Sequence, residues 1–439
     1  MNLLISSRRA FLRRAGGFAL LGYAAGRGLV QTALATSVGP AASPNHSFSN
    51  NVYTKLGVRP FISANIPFTF LSATLVWPEV RRAMEEASQY FVDVVALQRA
   101  VGRRLAEISG AESGMITSGA AGAASVATAA CIAGTNPENI WQLPNTTGLK
   151  HEVIMWGGRC HWDSAIRLAG GKLVVVHDLD GLAAALRPAT AMLYTSYTAE
   201  PDPVAPPPLP DILRICHRVG VPVFVDAAGG IPPIENIRRY SRMGVDLSCF
   251  SGGKGLCGPQ ASGLLLGRRD LIEAALANSN PVEGAVCRAL KVGKEEIMGC
   301  LAAVEKWLTI DLDSLYQDQT RKLQRIAAMV ETVPSVTTEI NLRGGSNRFM
   351  QLIVRWDEDS SGLSVEECAR QLRDGTPSIS VLSNYNPYII KIRELLPAPS
   401  LQKKAAVTQP LTVYSLGLQP GEELIVGRRL REILNRARG

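Results

Sequence analysis

The sequence predicts an α/β protein with a mainly parallel central sheet, helices on both faces and a smaller C-terminal α+β domain. Between residues 111 and 290, short runs rich in Val, Ile and Leu alternate with helical segments. Continuous apolar runs of this kind are typical of parallel strands buried on both faces. After about residue 290 the pattern changes to longer helices with fewer strands. The 439 residues, 46% of them hydrophobic, are enough for a sizeable core and two domains.

The predicted elements follow in a regular order. A helix of small residues at 120–134 opens the large domain. The strands predicted after it lie at 152–156, 172–177, 191–198, 221–226, 245–250 and 262–267, with helices at 163–171, 180–187 and 211–220 between them. The small domain is predicted to contain helices at 293–310, 312–333, 364–375 and 422–437, and strands at 348–356 and 378–383.

The first 35 residues have the pattern of a bacterial export signal. The stretch Ser7–Arg13, with Arg8 and Arg9, looks like a twin-arginine signal, and Ala33–Ala35 is a small-residue cleavage site. The apolar run between them is too short to span a bilayer, which takes about 20 residues. The sequence therefore predicts a periplasmic protein that is carried by the twin-arginine machinery and has no membrane span when mature.

The rest of the chain divides into four parts by composition. The predicted parts are a linker at 36–50, an N-terminal segment at 51–110, a large domain at 111–290 and a small domain at 291–439.

The charge distribution argues against a nucleic-acid-binding protein, and the cysteine spacing argues against a zinc or thioredoxin-like site. The net charge is +8, but residues 1–35 hold five arginines and no acid, so the remainder carries only +3. No Lys/Arg block with interleaved aromatics is present, so no nucleic-acid partner is predicted. None of the eight cysteines forms a C-x-x-C pair, so neither a zinc site nor a thioredoxin-like site is indicated, and no metal ligands are assigned.

Lys254 lies among glycines in the stretch CFSGGKGLCGPQ, immediately after an apolar run. A phosphate-binding P-loop does not fit, because the lysine is followed by Gly255 rather than Ser or Thr. Asp226 ends the buried strand VPVFVD, at the edge where open α/β sheets bind ligands. Thr117, Ser118 and Gly119 precede the small-residue helix, whose free N–H groups and dipole favour a phosphate.

These three features in this order match the needs of pyridoxal 5′-phosphate (PLP). A lysine amine forms a Schiff base with the PLP aldehyde. An aspartate beside the pyridine nitrogen keeps that nitrogen protonated, and a helix start holds the phosphate. The hydroxyl of Ser251 is a further candidate for the phosphate. The sequence therefore predicts Lys254 as the catalytic residue, with Asp226 and the 117–119 turn around the cofactor.

Four stretches resemble one PLP family of fold type I, the aspartate aminotransferase-like fold. They are SGGKGLCGPQASGLLLGRRDLI (251–272), VDAAGGIPP (225–233), TSGAAGAASVATAACIAG (117–134) and LPNTTGLKHEVI (143–154). The family contains bacterial L-seryl-tRNA(Sec) selenium transferase and D-glucosaminate-6-phosphate ammonia-lyase-like proteins. The resemblance runs from about residue 52 to 437, and it implies a homodimer or a larger homo-oligomer.

The resemblance also implies further site residues. His161 and Trp162 are the candidates to stack on the cofactor ring. Arg348 and Arg393 in the C-terminal domain are candidates to bind a substrate carboxylate, which a guanidinium fork suits. Two departures concern the substrate rather than the cofactor: NIPFTFLSATL (65–75) lacks expected glycines, and Cys257 stands where relatives often carry arginine.

The predicted function is a PLP-dependent lyase acting on an amino acid or amino-sugar acid. Its leading reaction is α,β-elimination, with Lys254 first as the Schiff-base residue and then as the general base for the α-proton. Aminotransfer, racemisation and aldol cleavage use the same lysine and aspartate and stay open as alternatives. A PLP-fold binding protein without turnover is another alternative. A selenium-transferase-like tRNA enzyme is disfavoured by the export signal and by the lack of a basic N-terminal module.

Overall fold

A computed structural model describes residues 48, 50–160, 162–196, 209–383 and 410–437 of the chain. Its strands are β1 (Phe61–Ala64), β2 (Ser113–Thr117), β3 (Glu152–Trp156), β4 (Lys172–Val176), β5 (Thr190–Ser196), β6 (Val223–Asp226), β7 (Leu247–Ser251), β8 (Gly263–Gly267), β9 (Thr337–Leu342), β10 (Met350–Arg355), β11 (Ser378–Val381) and β12 (Leu411–Tyr414).

The α-helices all follow β1 in the described part of the chain. They are α1 (Pro78–Ser88), α2 (Val94–Ser109), α3 (Gly119–Ala133), α4 (Pro137–Gln142), α5 (Asp163–Leu168), α6 (Leu179–Ala185), α7 (Leu209–His217), α8 (Asn236–Arg242), α9 (Arg269–Ala277), α10 (Lys294–Trp307), α11 (Leu312–Val330), α12 (Glu358–Ser361), α13 (Val365–Asp374) and α14 (Glu422–Arg436). Short 3-10 turns lie at Thr54–Leu56 and Thr69–Leu71.

The central sheet has seven strands in the order β2-β8-β7-β6-β5-β3-β4. β8 runs antiparallel to both of its neighbours, and the other pairs are parallel, so six strands point the same way. The sheet is therefore mainly parallel, as the apolar runs of the sequence predicted, and the fold class is confirmed. The crossover connections carry the helices to the two faces, as parallel strands require.

Alternate residues of each strand point into two separate cores. In β3, Val153 and Met155 pack under α3, α5 and α9, whereas Ile154 packs on the opposite face with α2, α7 and α10. The strand period of two produces this division, and because both faces of the sheet are covered, most positions in the inner strands are apolar. Helix α3 is buried along nearly its whole length, because its alanines and glycines let it lie close to the sheet.

The C-terminal part is a smaller α+β unit around β9, β10 and β12. These form an antiparallel sheet in the order β12-β10-β9, with α11, α13 and α14 contributing to the core beneath it. β1 also joins this part of the molecule, since it pairs in parallel with β11 and its Ile62 and Ala64 lie in the same core. The chain thus enters this unit before it builds the large sheet. The predicted domain boundaries themselves stay a prediction.

No helix in the described ranges is both long and apolar enough to cross a bilayer.

Candidate active site

The carboxyl ends of β2, β6 and β7 meet at one edge of the central sheet. Thr117 and Ser251 both pair with Gly263, from opposite sides of β8, so they flank the same point of the sheet. Asp226 pairs with Cys249, two residues before Ser251 in β7. The fold therefore brings the predicted phosphate-binding residues, the predicted ring-binding aspartate and the turn that carries Lys254 to one place.

The Asp226 carboxylate is nearly buried and has several donors. Its Oδ2 atom accepts a 2.6 Å hydrogen bond from the hydroxyl of Tyr194. Its Oδ1 atom accepts from the Ala228 N–H at 3.0 Å and contacts the Cys249 Sγ at 3.6 Å. Burial, together with the Asp226 charge, raises the pKa of Tyr194 well above its ordinary value, so its hydroxyl keeps the proton it donates. These donors hold the carboxylate in one orientation.

Lys254 follows β7 in a tight turn at the same edge. Its Nζ atom lies 5.8 Å from the centroid of the Trp162 ring. Burial and then the Asp226 charge raise the pKa of the Cys249 thiol, and the Lys254 charge acts in the opposite direction. The ammonium of Lys254 therefore lies close enough to the Cys249 thiol to act on it electrostatically.

The turn between β2 and α3 forms a cradle with unused hydrogen-bonding capacity. Ser118 is the N-cap residue of α3, yet its side chain does not cap the helix, and its buried Oγ has no hydrogen-bond partner within the described part of the chain. Gly119 has φ +78°, and the Thr117 hydroxyl donates to its carbonyl oxygen at 2.9 Å. A buried hydroxyl beside free helix N–H groups is a fitting donor set for a phosphate.

Gly263 makes this cradle possible. A Cβ atom at this position would lie 2.6 Å from the Gly119 carbonyl carbon and 2.8 Å from the Ala120 nitrogen. Only a residue without a side chain lets the start of α3 approach β8 so closely. The predicted residues Thr117, Ser118 and Gly119 therefore owe their position to a glycine on the neighbouring strand.

Trp162 stands at the N-terminal end of α5, and half of its surface is exposed. The next residue, Asp163, is buried and forms ion pairs with Arg159 and Arg167. These pairs anchor the start of α5 and so hold Trp162 beside Lys254. His161, the other predicted stacking residue, lies outside the described residues.

Arg348 lies in the loop before β10. Its Nε atom is buried without a hydrogen-bond partner among the described residues, and its carbonyl oxygen accepts a 2.8 Å bond from the Tyr316 hydroxyl. The adjacent Asn347 N–H donates to the Gly229 oxygen at 2.7 Å, three residues beyond Asp226. This loop therefore packs directly on the segment that follows Asp226. Arg393, the second predicted carboxylate-binding residue, lies outside the described residues.

A separate cavity of about 370 Å³ lies at the opposite, amino-terminal edge of the sheet. Cys131, Lys150 and Arg268 are among its lining residues, and none of the predicted site residues lines it. The predicted site residues therefore lie at the shared strand edge and not in this cavity.

All eight cysteines lie in the described ranges and are free thiols, six of them buried, with Cys131 and Cys160 partly exposed.

Comparison with known proteins decides the family. A family model for class-V aminotransferases matches residues 172–338. The chain is 30% identical over 339 residues to a 5′-C-glycyluridine monooxygenase-decarboxylase from a Streptomyces species, a match that covers 74% of this chain and 83% of that protein. The chain belongs to the class-V aminotransferase family.

Other relatives agree with the family resemblance that the sequence motifs indicated. The D-glucosaminate-6-phosphate ammonia lyase of Salmonella typhimurium is 28% identical over 343 residues, covering 75% of this chain and 88% of the lyase. An L-seryl-tRNA(Sec) selenium transferase from Desulfomicrobium baculatum is 31% identical over 194 residues, but only 42% of this chain and 37% of that protein are covered.

Solved structures confirm fold type I for this class-V protein. A D-glucosaminate-6-phosphate ammonia-lyase structure matches with a TM-score of 0.74 and 26% identity, covering 89% of this chain and all of that one. A ureidoglycine-glyoxylate aminotransferase from Bacillus subtilis, at a TM-score of 0.53 and 13% identity over 87% of this chain and 95% of that one, shares the fold alone. The family and these neighbours indicate pyridoxal 5′-phosphate as the cofactor, as the sequence predicted.

The residues of this class-V protein fit that cofactor. The partnerless Ser118 hydroxyl and the start of α3 suit its phosphate, the oriented Asp226 carboxylate suits its ring nitrogen, and the Lys254 amine lies at the same edge. Sequence reasoning did not identify Tyr194 or Gly263. One signal for Tyr194 was present, since a tyrosine inside a buried strand needs a hydrogen-bond partner for its hydroxyl.

Proposed function

We propose that this class-V protein is a lyase that removes ammonia from an α-amino acid or amino-sugar acid by α,β-elimination. The observation that supports this most is the convergence of Lys254, Asp226 and the Ser118 turn at one edge, in a chain related over most of its length to an ammonia lyase. The overall reaction converts a β-hydroxy α-amino acid into a 2-keto acid and ammonium. Elimination releases one water molecule, and one water molecule is taken up again when ammonia leaves.

The bound cofactor supplies an electron-withdrawing ring for the Cα of the amino acid. Lys254 holds the cofactor and, once its amine is free, removes the proton from Cα as a general base. Asp226 keeps a proton on the ring nitrogen, and the donors from Tyr194 and Ala228 keep this carboxylate correctly aimed. Trp162, beside the Lys254 amine, is proposed to cover one face of the ring.

The two main relatives also suggest a substrate class. The names of these relatives specify an amino-sugar acid phosphate and a glycyl group joined to a nucleoside. Both compounds carry an amino acid group on a sugar-derived framework. We therefore propose a substrate of this kind, with its amino acid group at Lys254 and its polar framework directed outward.

Oxygen-dependent decarboxylation is a second candidate, because the relative at 30% identity is named a monooxygenase-decarboxylase. The two reactions differ in what they consume and release. Elimination gives ammonium and a keto acid without oxygen, whereas the alternative consumes O₂ and releases CO₂. A binding protein without turnover would change the cofactor spectrum on adding a ligand but release neither product.

The first test of the proposal is the attachment of the cofactor. We expect the native protein to absorb in the visible range, and borohydride reduction to leave a pyridoxyl group on Lys254 that mass spectrometry of peptides detects. Lys254→Ala should abolish that modified peptide, whereas Lys172→Ala, an exposed lysine at the start of β4, should retain it. A colourless protein that takes up no added cofactor contradicts the whole assignment.

The second test is the reaction. The protein is incubated with D- and L-amino acids and 2-amino sugar acids, and ammonium, keto acid, O₂ and CO₂ are measured. Release of ammonium and keto acid in equal amounts without O₂ uptake supports elimination. O₂ uptake with CO₂ release supports the second candidate and overturns the first.

We also propose that the protein is exported by the twin-arginine pathway to the periplasm and forms a homodimer or larger oligomer. Residues 1–47, which include the predicted export signal, lie outside the described ones. Replacing Arg8 and Arg9 together by lysine should leave the full chain in the cytoplasmic fraction of a bacterial host. Light scattering of the purified protein measures the mass of the assembly, and a monomer contradicts the proposed oligomer.

A further inference from the structure

The turn that carries Lys254 has little rigidity of its own. Residues 251–258 include four glycines, and glycine restricts the backbone less than any other residue. Three hydrogen bonds close the turn locally. The Gly252 N–H donates to the Ser262 oxygen at 2.8 Å, the Gly258 N–H to the Gly252 oxygen at 2.8 Å, and the Cys257 N–H to the Lys254 oxygen at 2.9 Å.

Additional bonds to this turn come from distant segments. The Trp77 N–H donates to the Cys257 oxygen at 3.2 Å. The indole N–H groups of Trp77 and Trp307 both donate to the Leu256 oxygen, at 3.3 Å and 3.1 Å. These bonds hold the end of the turn, two and three residues beyond the lysine.

Thr74 forms hydrogen bonds with the backbone at Lys254 itself. The hydroxyl Oγ1 of Thr74 lies 3.1 Å from the Gly253 oxygen and 3.1 Å from the Lys254 oxygen, so its one proton is shared between two acceptors. The Gly253 oxygen belongs to the peptide group before the Lys254 Cα, and the Lys254 oxygen belongs to the peptide group after it. A single side chain thus contacts both peptide planes that define φ and ψ of Lys254.

We infer that Thr74 is a positioning residue that aims the Lys254 side chain by fixing the backbone on both sides of its Cα. The direction of the Cα–Cβ bond follows from those two peptide planes, and the amine at the end of a four-carbon side chain amplifies any rotation. Thr74 lies in the 65–75 segment that departs from the family pattern by lacking glycines. In this chain, that segment supplies a hydroxyl to the lysine turn.

The inference rests on the proposed role of Lys254, and its test compares three variants of the holoprotein. Thr74→Val removes the hydroxyl and keeps the branched shape, and Thr74→Ser keeps the hydroxyl. Thr69→Val is the matched control, because Thr69 is exposed in the same segment and its backbone oxygen, which accepts from the Gln260 side chain, is retained. Should Thr74→Val not fold, Thr74→Ala provides the same comparison.

The first readout is amide hydrogen exchange of the peptide spanning 251–258. Thr74→Val should speed exchange at Gly252, Cys257 and Gly258 by about tenfold, as expected for one lost hydrogen bond. The second readout is the pH dependence of the visible cofactor absorption, which should shift in Thr74→Val but not in Thr74→Ser or Thr69→Val. Neither readout needs turnover.

Where a substrate is found, Thr74→Val should lower kcat roughly 10- to 100-fold with KM nearly unchanged, because the base is misplaced. Exchange and absorption curves that coincide with those of the unmodified protein overturn the inference, as does an equal change in Thr69→Val. If the proposed elimination reaction is wrong but the inference about Thr74 is right, the result is different. The cofactor then remains on Lys254 and the Thr74 effect on exchange stays intact while no product forms.

Discussion

The Tyr194 hydroxyl donates a 2.6 Å hydrogen bond to Oδ2 of Asp226, from the neighbouring strand of the central sheet. The Tyr194 ring stacks on Phe224, with centroids 5.5 Å apart, so the hydroxyl has a fixed position. The carboxylate is thereby aligned before any cofactor binds. Such alignment lowers the reorganisation needed when a protonated ring nitrogen is bound.

Tyr194→Phe is expected to weaken PLP binding about tenfold and to destabilise the fold by about 1 to 3 kcal/mol, because a buried carboxylate oxygen loses a donor. Titration of the apoprotein with PLP and unfolding in urea measure the two effects. Tyr90→Phe is the control, since Tyr90 is 61% exposed. Equal PLP affinities for the two variants would show that the hydrogen bond does not serve the cofactor.

Ser118→Ala is expected to separate binding from stability. The Ser118 hydroxyl is buried without a partner in the described structure, so its removal should leave the apoprotein as stable as before, or slightly more so. PLP affinity should fall roughly tenfold or more, because a hydrogen bond to a charged phosphate is lost.

The matched control for Ser118 lies in the same helix. Ser125→Ala removes a hydroxyl that donates to the Ala165 oxygen at 2.8 Å, so the apoprotein should lose about 1 kcal/mol of stability while PLP affinity stays unchanged. Thermal unfolding of the apoproteins and PLP titration provide both measurements. A Ser118→Ala apoprotein that is destabilised with normal PLP affinity contradicts the phosphate role.

Gly263→Ala is expected to disturb the cofactor site from the neighbouring strand. The new methyl group would meet backbone atoms of Gly119 and Ala120, which a rotamer change cannot move away. Overpacking of this kind is expected to lower the free energy of unfolding by about 1 to 3 kcal/mol. PLP binding should also weaken, because the start of α3 shifts.

Gly181→Ala in α6 is the comparison, because its added Cβ would lie 3.0 Å from a side-chain oxygen of the N-cap residue Asp178 and would meet no backbone atom. It should be neutral or slightly stabilising, as alanine is the better helix former. Denaturant midpoints and PLP titration test both variants. If Gly263→Ala binds PLP normally, the close approach of β8 and α3 is not needed for the cradle.

The buried Asp163 should make the protein sensitive to acid. Burial alone would raise the pKa of this carboxyl, but the Arg159 and Arg167 guanidinium groups outweigh burial and hold the pKa below its ordinary value of 3.8. Because the folded pKa is lower than the unfolded one, the ionised carboxylate stabilises the fold above about pH 4. That contribution is lost as the pH falls through the folded pKa.

Asp163→Asn should therefore lower the free energy of unfolding by about 2 kcal/mol at pH 6 and flatten the pH dependence of this free energy below pH 4. Asp211→Asn, which affects an exposed pair with Arg214, should change stability by less than about 0.5 kcal/mol. Urea unfolding between pH 3 and 6 measures both variants. Parallel pH curves for Asp163→Asn and the unmodified protein would contradict this assignment.

Local sequence patterns were enough to predict several residues of the candidate site. Asp226 was predicted because a carboxylate ended a buried strand, and Ser118 because it preceded a helix of small residues. Both inferences depend on neighbours within a few positions and on the rule that parallel strands end at one edge of a sheet. The strand and helix pattern likewise predicted the mainly parallel sheet, since apolar periodicity is a local property.

Other contacts could not be predicted from local pattern. Tyr194 lies 32 residues from Asp226, and Thr74 lies 180 residues from the backbone oxygen it binds at Lys254. The pairing of β1 with β11 joins segments from nearly opposite ends of the chain. Nothing in the composition of either partner specifies such contacts, because they depend on how the completed sheets and helices pack.

By itself, the amino-acid sequence determined the fold class, the cofactor and the order in which the lysine, the aspartate and the phosphate turn occur. The tertiary structure alone decided which residues lie beside those groups: Tyr194 at Asp226, Gly263 at the cradle of Ser118, and Thr74 at the backbone of Lys254. The reason is physical. Reactive groups are chosen by their chemistry, which one residue carries, whereas their orientation depends on contacts that only long-range packing can bring within hydrogen-bonding distance.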